Sequence, residues 1–366
     1  MIAQKVRLYP TKEQKAYLNE LFGFSRHAYN AMLAHWKTEY AAGNKPTGRG
    51  CRDWYKANKE PWAVNYSNMI IESASENLEN AFKRFFKKKS KYPKLKKKKD
   101  GEGSFRFNKK DEKTKPVSGD VAKLTRKHHI KMAEPFKYGT NTIKFVTYSC
   151  KNGKYYISIT CNCLGKQYKS TGVDCGIDLG LKDALTICDS NDKSFKLDLD
   201  RDTLSRLYKQ IDSLNSKLSR KKRGSNRWAA AKAKQQRLRD RVDNILEDFY
   251  NKTVNMIVTN YDHIGIEDLA LGNLHKNRRL SAAFQKKSLY RFKEKFDLKC
   301  AANTTNKKVV KKVNRFFPSS QLCSTCGAQN PEMKDLKIRT FMCECGNVLD
   351  RDVNAAKNIL IESHKI

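Results

Sequence analysis

The sequence predicts an α+β protein of several domains. Three observations carry that expectation. Alternating strand-like segments occur at the start of the chain and again from Val121 to Gln167, and long stretches with apolar residues every three or four positions lie between and after them. In the C-terminal half, acids end separate elements and cysteines form two close pairs. A chain of 366 residues can bury a real core in at least one of two or three domains.

The opening MIAQKVRLYP places Ile2, Val6 and Leu8 on one face and Lys5 and Arg7 on the other, a half-buried strand that ends at a proline. Thr11 and Gln14 then have capping-box spacing, and helical periodicity runs through Leu18 and Leu21 towards Trp36. Gly43 to Gly50 reads as a loop. A second helix is expected over Asn68 to Phe86, where Ile71, Ala74, Leu78, Phe82 and Phe85 recur every three or four residues. Within Val121 to Gln167 the clearest strands, TIKFVTYSC and KYYISIT, flank an Asn-Gly turn, a strong hairpin signal. Residues 1–170 therefore read as a small β domain carrying a helical insertion. Further on, Leu204, Leu207, Ile211, Leu214 and Leu218, followed by Leu238, Val242, Ile245 and Phe249, predict a helical hairpin over about 201–250.

Lysine and arginine number 75 against 38 acids, a formal charge of +37. So large an imbalance opposes compaction by self-repulsion, and its natural partner is a polyanion, nucleic acid first of all. Two basic segments stand out. In FFKKKSKYPKLKKKKD, Lys87, Lys88, Lys89, Lys94, Lys96, Lys97, Lys98 and Lys99 are interleaved with Phe85, Phe86, Tyr92 and Leu95, which anchor the run on a surface and favour phosphate contact over simple solvation. Lys221, Lys222 and Arg223 form the basic tip of the helical hairpin, whose leucines are accounted for by packing alone. Neither a signal peptide nor a membrane-length apolar run is evident, so a cytoplasmic location and no membrane partner are expected, and eleven cysteines there argue for metal ligands or free thiols.

Asp178 falls near the end of the first of two strands in TGVDCGIDLGLKDALTICDS, beside Gly176 and Gly180. Glu267 ends a buried strand in DHIGIEDL, and Asp352 lies in the first turn of a helix in DRDVNAAKNILIE. Acids that end distant core elements suit a two-metal phosphodiesterase, because Mg²⁺ needs hard oxygen ligands converging on one phosphate. Singly, each acid could be an ordinary cap or surface charge. Asp174, Asp183, Asp268 and Asp350 compete as neighbours, and spacing does not choose among them. The cysteine pairs are clearer: Cys323 and Cys326 in a CxxCG turn, Cys343 and Cys345 in CxCG, the spacing of a closed, structural Zn²⁺ ribbon over about 316–348. The other seven cysteines read as ordinary thiols.

The order GIDLG, GIEDL, PSSQLCSTCG, CECG, DRDVNAAKNI closely resembles the TnpB (OrfB-type) proteins of insertion-sequence transposons, relatives of the compact type V CRISPR effectors. MIAQKVRLYPTKEQKAYLNELFGFSRHAYN and KDGEGSFRFN resemble that family too, so the likeness spans nearly the whole chain. It implies a barrel-like wedge β domain from residues 1–11 and 100–170, a helical recognition insertion at 12–99, and a RuvC nuclease domain of RNase H fold at 171–366 interrupted by the zinc ribbon. It assigns Asp178, Glu267 and Asp352 as the Mg²⁺-binding catalytic acids, with Asp350 the nearest competitor. It further implies a guide RNA from the transposon end, held by one chain, and cleavage of double-stranded DNA beside a short motif. The rival expectations are a catalytically silent RNA-guided repressor, a guide-independent nuclease or transposase, and a zinc-ribbon DNA-binding protein.

Overall fold

The computed structural model describes residues 1–98, 102–108, 116–125, 127–163, 166–180, 182–268, 287–302, 308–335 and 337–366. Its α+β chain divides into two compact units, residues 1–164 and 165–366.

In the first unit, strand β1 (Ile2–Tyr9) alternates buried and exposed side chains, with Val6 and Leu8 inward. Helix α1 (Lys12–Ala41) starts at Thr11, whose hydroxyl accepts the Gln14 amide while the Gln14 side chain returns to the Thr11 amide. Helix α2 (Gly48–Ala57) occupies part of what the glycines suggested was a loop. Thr47 caps it, and a Cβ on Gly48 would lie 2.7 Å from Glu79 Oε2. Gly48 is thus a close-approach glycine beneath helix α3 (Asn68–Phe86), which overrides its weak helix propensity. Trp36 of α1 and Phe82 of α3 stack with centroids 4.2 Å apart in the core of this helical layer.

The strands of this unit are β1, β2 (Gly103–Asn108), β3 (Val117–Ser118), β4 (Val121–Lys123), β5 (His129–Met132), β6 (Ile143–Lys151) and β7 (Lys154–Cys161). They form an antiparallel sheet in the order β2-β6-β7-β1-β5-β4-β3, so the first strand of the chain pairs with strands more than a hundred residues later. The β6–β7 turn has positive φ at Asn152 (54°) and Gly153 (73°), the backbone that an Asn-Gly pair adopts at low cost.

The second unit is built on β8 (Cys175–Asp178), β9 (Leu185–Asp189), β10 (Ser194–Leu197), β11 (His263–Glu267) and β12 (Val309–Val313), in the order β10-β9-β8-β11-β12. The β10–β9 and β9–β8 pairs are antiparallel, whereas β8, β11 and β12 run parallel. Helices α4 (Arg201–Ser219) and α5 (Asn226–Asn260) form the expected hairpin, and α6 (Leu289–Ala302) adds Phe292 and Phe296 to the same core. Strands β10 and β12 and helix α6 carried no clear signal, because their short or mixed patterns match no single period.

The last helix, α7 (Arg351–Ser363), lies across β8, β9 and β11. Its approach depends on two glycines that face each other in the β8–β11 ladder, Gly176 and Gly265. A Cβ on Gly176 would overlap the Ala356 carbonyl, and one on Gly265 would lie 2.8 Å from the Ile359 carbonyl oxygen. Each glycine stands two residues before an acid, so the same strand face receives the helix and then presents a carboxylate at its start.

Among the described residues, no helix is long and apolar enough to cross a membrane.

Candidate active site and cysteine cluster

Parallel strands β8 and β11 end side by side, with Ile177 registered against Ile266, and the next residues are Asp178 and Glu267. Asp352 enters from the first turn of α7. The three acids predicted from sequence are therefore brought to one end of one sheet. Burial pushes the Asp178 carboxyl well above the usual carboxylate range, and the charges of Glu267 and Asp352 push it further; Arg351 and Lys196 oppose them only in part. Burial likewise raises Glu267, against one hydrogen bond donated by Ser319 Oγ to its Oε1 at 2.8 Å.

The competing acids behave differently. Asp350 caps α7, accepting the Asp352 and Val353 amides at 3.0 and 3.3 Å, and pairs with Lys196 Nζ at 2.8 Å. Asp183 pairs with Lys196 at 3.6 Å and Arg201 at 3.3 Å. Asp268 pairs with Lys293 at 3.0 Å, and Asp174 accepts the His263 amide at 3.1 Å and faces His364 at 3.4 Å. Among the described residues, Asp178 has neither a hydrogen-bond donor nor a cation within ion-pair distance. A buried carboxylate whose charge is only partly offset, with two others near it, is an arrangement that a divalent cation would relieve, and its oxygens suit Mg²⁺; unlike the four paired cysteines, these three acids do not all approach within 4.8 Å of one another.

A second constellation is the sulfur cluster. The Sγ atoms of Cys323, Cys326, Cys343 and Cys345 all lie within 4.8 Å of one another, with Cys323 to Cys345 at 3.6 Å and Cys326 to Cys343 at 3.5 Å. Tetrahedral Zn²⁺ with bonds of about 2.3 Å sets sulfurs about 3.8 Å apart, so the thiols fit that ion. The two turns close through Gly327 and Gly346 at φ +78° and +84°, and β13 (Thr340–Met342) pairs with β14 (Val348–Asp350) between the second turn's flanks. Burial opposes ionisation of Cys323, but the amides of Cys326 and Thr325 and the Asn347 side chain outweigh it and bring the thiol down to about 6.

Sequence reasoning passed over the side chains that join these two constellations. Asn354 and Asn358, both buried on α7, donate to the Leu322 carbonyl at 2.6 and 2.7 Å, and Asn358 also donates to the Ser319 carbonyl at 2.7 Å. Asn354 Oδ1 accepts the Ser324 amide at 3.0 Å. Buried Arg351 donates to the Asp335 carbonyl at 2.8 Å. The segment that carries Ser319 and Cys323 is thus tied to the helix that carries Asp352. The available signal was two asparagines on the otherwise apolar face of DVNAAKNI.

The basic segments belong to other elements of the chain. Lys87 to Lys89 follow the end of α3, and Lys94, Lys97 and Lys98 are exposed; Lys99 lies outside the described residues. Lys96 is anchored, its backbone clasped by Asn30 at 2.8 and 2.9 Å and its Nζ 4.0 Å from the Tyr29 ring centroid. Lys222 and Arg223 are exposed at the α4–α5 turn, and Lys221 is half-buried there.

Comparison with known proteins extends over the whole chain. A Streptomyces pristinaespiralis protein named "Putative RNA-guided DNA endonuclease" is 30% identical over 364 residues, 98% of this chain and 88% of that protein. The chain belongs to the TnpB (OrfB-type) family. An Escherichia coli K12 protein named "Putative RNA-guided DNA endonuclease InsQ" is 26% identical to this TnpB-family chain, covering 100% of it and 92% of the relative. Family descriptions match in three stretches: "Helix-turn-helix domain" at residues 1–45, "Probable transposase" at 147–278, and "Cas12f1-like, TNB domain" at 290–359. The second contains Asp178 and Glu267, and the third contains the four cysteines and Asp352. In this TnpB chain the first stretch folds as β1 and the single helix α1 rather than as two helices about a turn. A Cas12f1 solved with sgRNA and target DNA shares the fold, with a TM-score of 0.56 over 95% of this chain and 83% of that one, at 14% identity.

Proposed function

We propose that this chain is an RNA-guided DNA endonuclease of transposon origin, cutting double-stranded DNA beside a short motif. Asp178, Glu267 and Asp352 would hold two Mg²⁺ ions. The observation that carries the reading is the buried Asp178 carboxylate, only partly offset by cations, at the end of one of two parallel strands with Glu267 ending the other and Asp352 entering from the last helix. Bound Mg²⁺ supplies an activated water and a stabilised leaving oxygen for phosphodiester hydrolysis. The chain's own residues do the rest. Ser319 orients Glu267, Asp350 caps α7 and thereby fixes where Asp352 stands, and the glycine pair seats that helix against the sheet. A sheet of three antiparallel strands continued by two parallel ones and crossed by a C-terminal helix fits the RNase H fold, with the site of RuvC type.

The four cysteines hold Zn²⁺ in this reading, as a structural ion that sets the approach of the Ser319 segment. Guidance by RNA rests on the charge of +37, on the exposed basic segments and on the names of the two full-length relatives. Such a protein holds a heteroduplex by its backbone and leaves sequence reading to base pairing. The lysines from Lys87 to Lys99 and the tip at Lys221, Lys222 and Arg223 contact phosphates. Replacing either set with glutamine lowers RNA affinity and reduces the salt slope by about one for every phosphate left without its cation; an unchanged slope rejects that assignment.

The decisive experiment is expression with flanking transposon DNA, sequencing of the RNA that co-purifies, and a Mg²⁺-dependent cleavage assay programmed with that RNA. Cutting should follow the guide sequence and stop in EDTA. Cutting that ignores the guide supports the guide-independent nuclease, and RNA-dependent DNA binding with no cutting supports the silent repressor.

A further inference from the structure

Lys196 pairs with three carboxylates of the acid cluster. The antiparallel registers align Asp178 with Thr186 and Thr186 with Lys196, so the lysine stands on the same face as Asp178, two strands away. From there its side chain turns back to the start of α7, where Nζ lies 2.8 Å from Asp350 Oδ1, 3.8 Å from Asp352 Oδ2 and 3.6 Å from Asp183 Oδ2. The side chain is 29% exposed, held beneath three carboxylates rather than free in water. The other cations near Asp352 are differently placed. Arg339 reaches it only at 4.0 Å, and Arg351 commits one guanidinium nitrogen to the Asp335 and Ile338 carbonyls.

We infer that Lys196 is a built-in counter-cation that holds Asp352 in the metal-free protein and competes with the divalent ion for it. The inference rests on the reading of Asp178, Glu267 and Asp352 as metal ligands. Asp350 and Asp183 are what make the exchange possible. When a metal takes Asp352, Lys196 keeps two carboxylate partners, so its ammonium is not stranded at the site. Its remaining charge still repels the ion. At about 6 Å and the dielectric of bulk water, a divalent ion and an ammonium repel by an amount equivalent to about a tenfold change in affinity, and more where water is excluded. Lys196 is thus a positioning residue that sets how weakly the protein alone holds its metal.

The test uses the full chain and Ca²⁺ as the probe ion, followed by calorimetry. Asp178→Ala identifies the site by abolishing the binding. Lys196→Met should then bind Ca²⁺ about tenfold more tightly than the parent, and Lys196→Arg within about twofold of it. Lys196→Gln replaces the methionine variant should that fail to fold. Hydrogen exchange separates positioning from mere structure: amides in the first turn of α7 should exchange faster in metal-free Lys196→Met and return to the parental rate at saturating Ca²⁺. Equal or weaker Ca²⁺ binding by Lys196→Met, or fast exchange that Ca²⁺ does not correct, overturns the proposal alone. A parent whose Ca²⁺ binding survives Asp178→Ala, or that binds none, overturns the metal-ligand reading and this proposal with it.

Discussion

The two ends of the β8–β11 ladder carry the same kind of residue and treat it in opposite ways. At the leading end, Asp262 accepts the Thr171 and Gly172 amides at 2.7 Å each and the Ser170 hydroxyl at 2.5 Å, and it pairs with Lys308 Nζ at 2.7 Å. Burial opposes its ionisation, yet these donors hold its carboxyl far below the usual range. Asp174, just before β8, is likewise occupied, by the His263 amide and His364. At the trailing end, Asp178 is raised by burial and by the charges of Glu267 and Asp352, and Glu267 is raised by burial. Satisfied carboxylates stabilise a fold, whereas carboxylates left to repel one another give up stability to make a cation-binding site. The contrast separates acids held by donors from the acids proposed as metal ligands, where spacing could not.

Four predictions press on that contrast, beginning with the largest effect. Asp178→Ala, Glu267→Ala and Asp352→Ala should each lower guided cleavage at least about a thousandfold while leaving RNA retention intact. Asp350→Ala should retain part of the activity, since it removes a cap and an ion pair. An inactive Asp350→Ala beside an active Asp352→Ala would reverse the assignment of the third ligand.

At the leading end the loss should appear in stability. Asp262→Ala leaves Lys308, whose side chain is only 1% exposed, with the Lys169 carbonyl but no counter-charge, and should destabilise the second unit by about 3 kcal/mol in denaturant unfolding, with little change in cleavage per folded molecule. Because the folded pKa of Asp262 is depressed, its contribution is complete above the ordinary carboxylate range and disappears as pH falls below it. Unfolding curves that show no such acid-side loss would count against the pair.

Cys323→Ser or Cys343→Ser should release bound zinc and lower cleavage about tenfold, because the Ser319 segment that holds Glu267 is tied to the cluster. Metal content and activity are measured on the same preparation, and full activity without zinc would break the link. The smallest effect is a gain. The folded pKa of Asp178 is raised, so its ionised form opposes folding once pH exceeds the unfolded value. Metal-free Asp178→Asn should therefore unfold about 3 °C higher near neutral pH and show no gain in acid, where the parent is protonated too. A lower melting temperature at neutral pH would mean that Asp178 is satisfied after all.

Much of this was legible in the chain, for local reasons. The Thr11 and Gln14 cap, the Asn152-Gly153 turn, the periodic helices at 68–86 and 201–250 and the cysteine turns each follow from neighbouring residues acting through backbone geometry. Even the glycine two residues before each strand acid was visible, though not its use. Gly48 reads as a loop residue until Glu79 of another helix is placed against it. The same holds for the acids: Asp178 and Asp174 are four residues apart and chemically alike, and only the fold gives Asp174 a set of donors and Asp178 two carboxylates. Lys196, Ser319, Asn354 and Asn358 acquire their roles from segments up to about 150 residues distant. Periodicity and spacing report on a residue's own segment. Charge compensation and close approach depend on what other segments bring within a few ångströms, and that is decided only when the chain has folded.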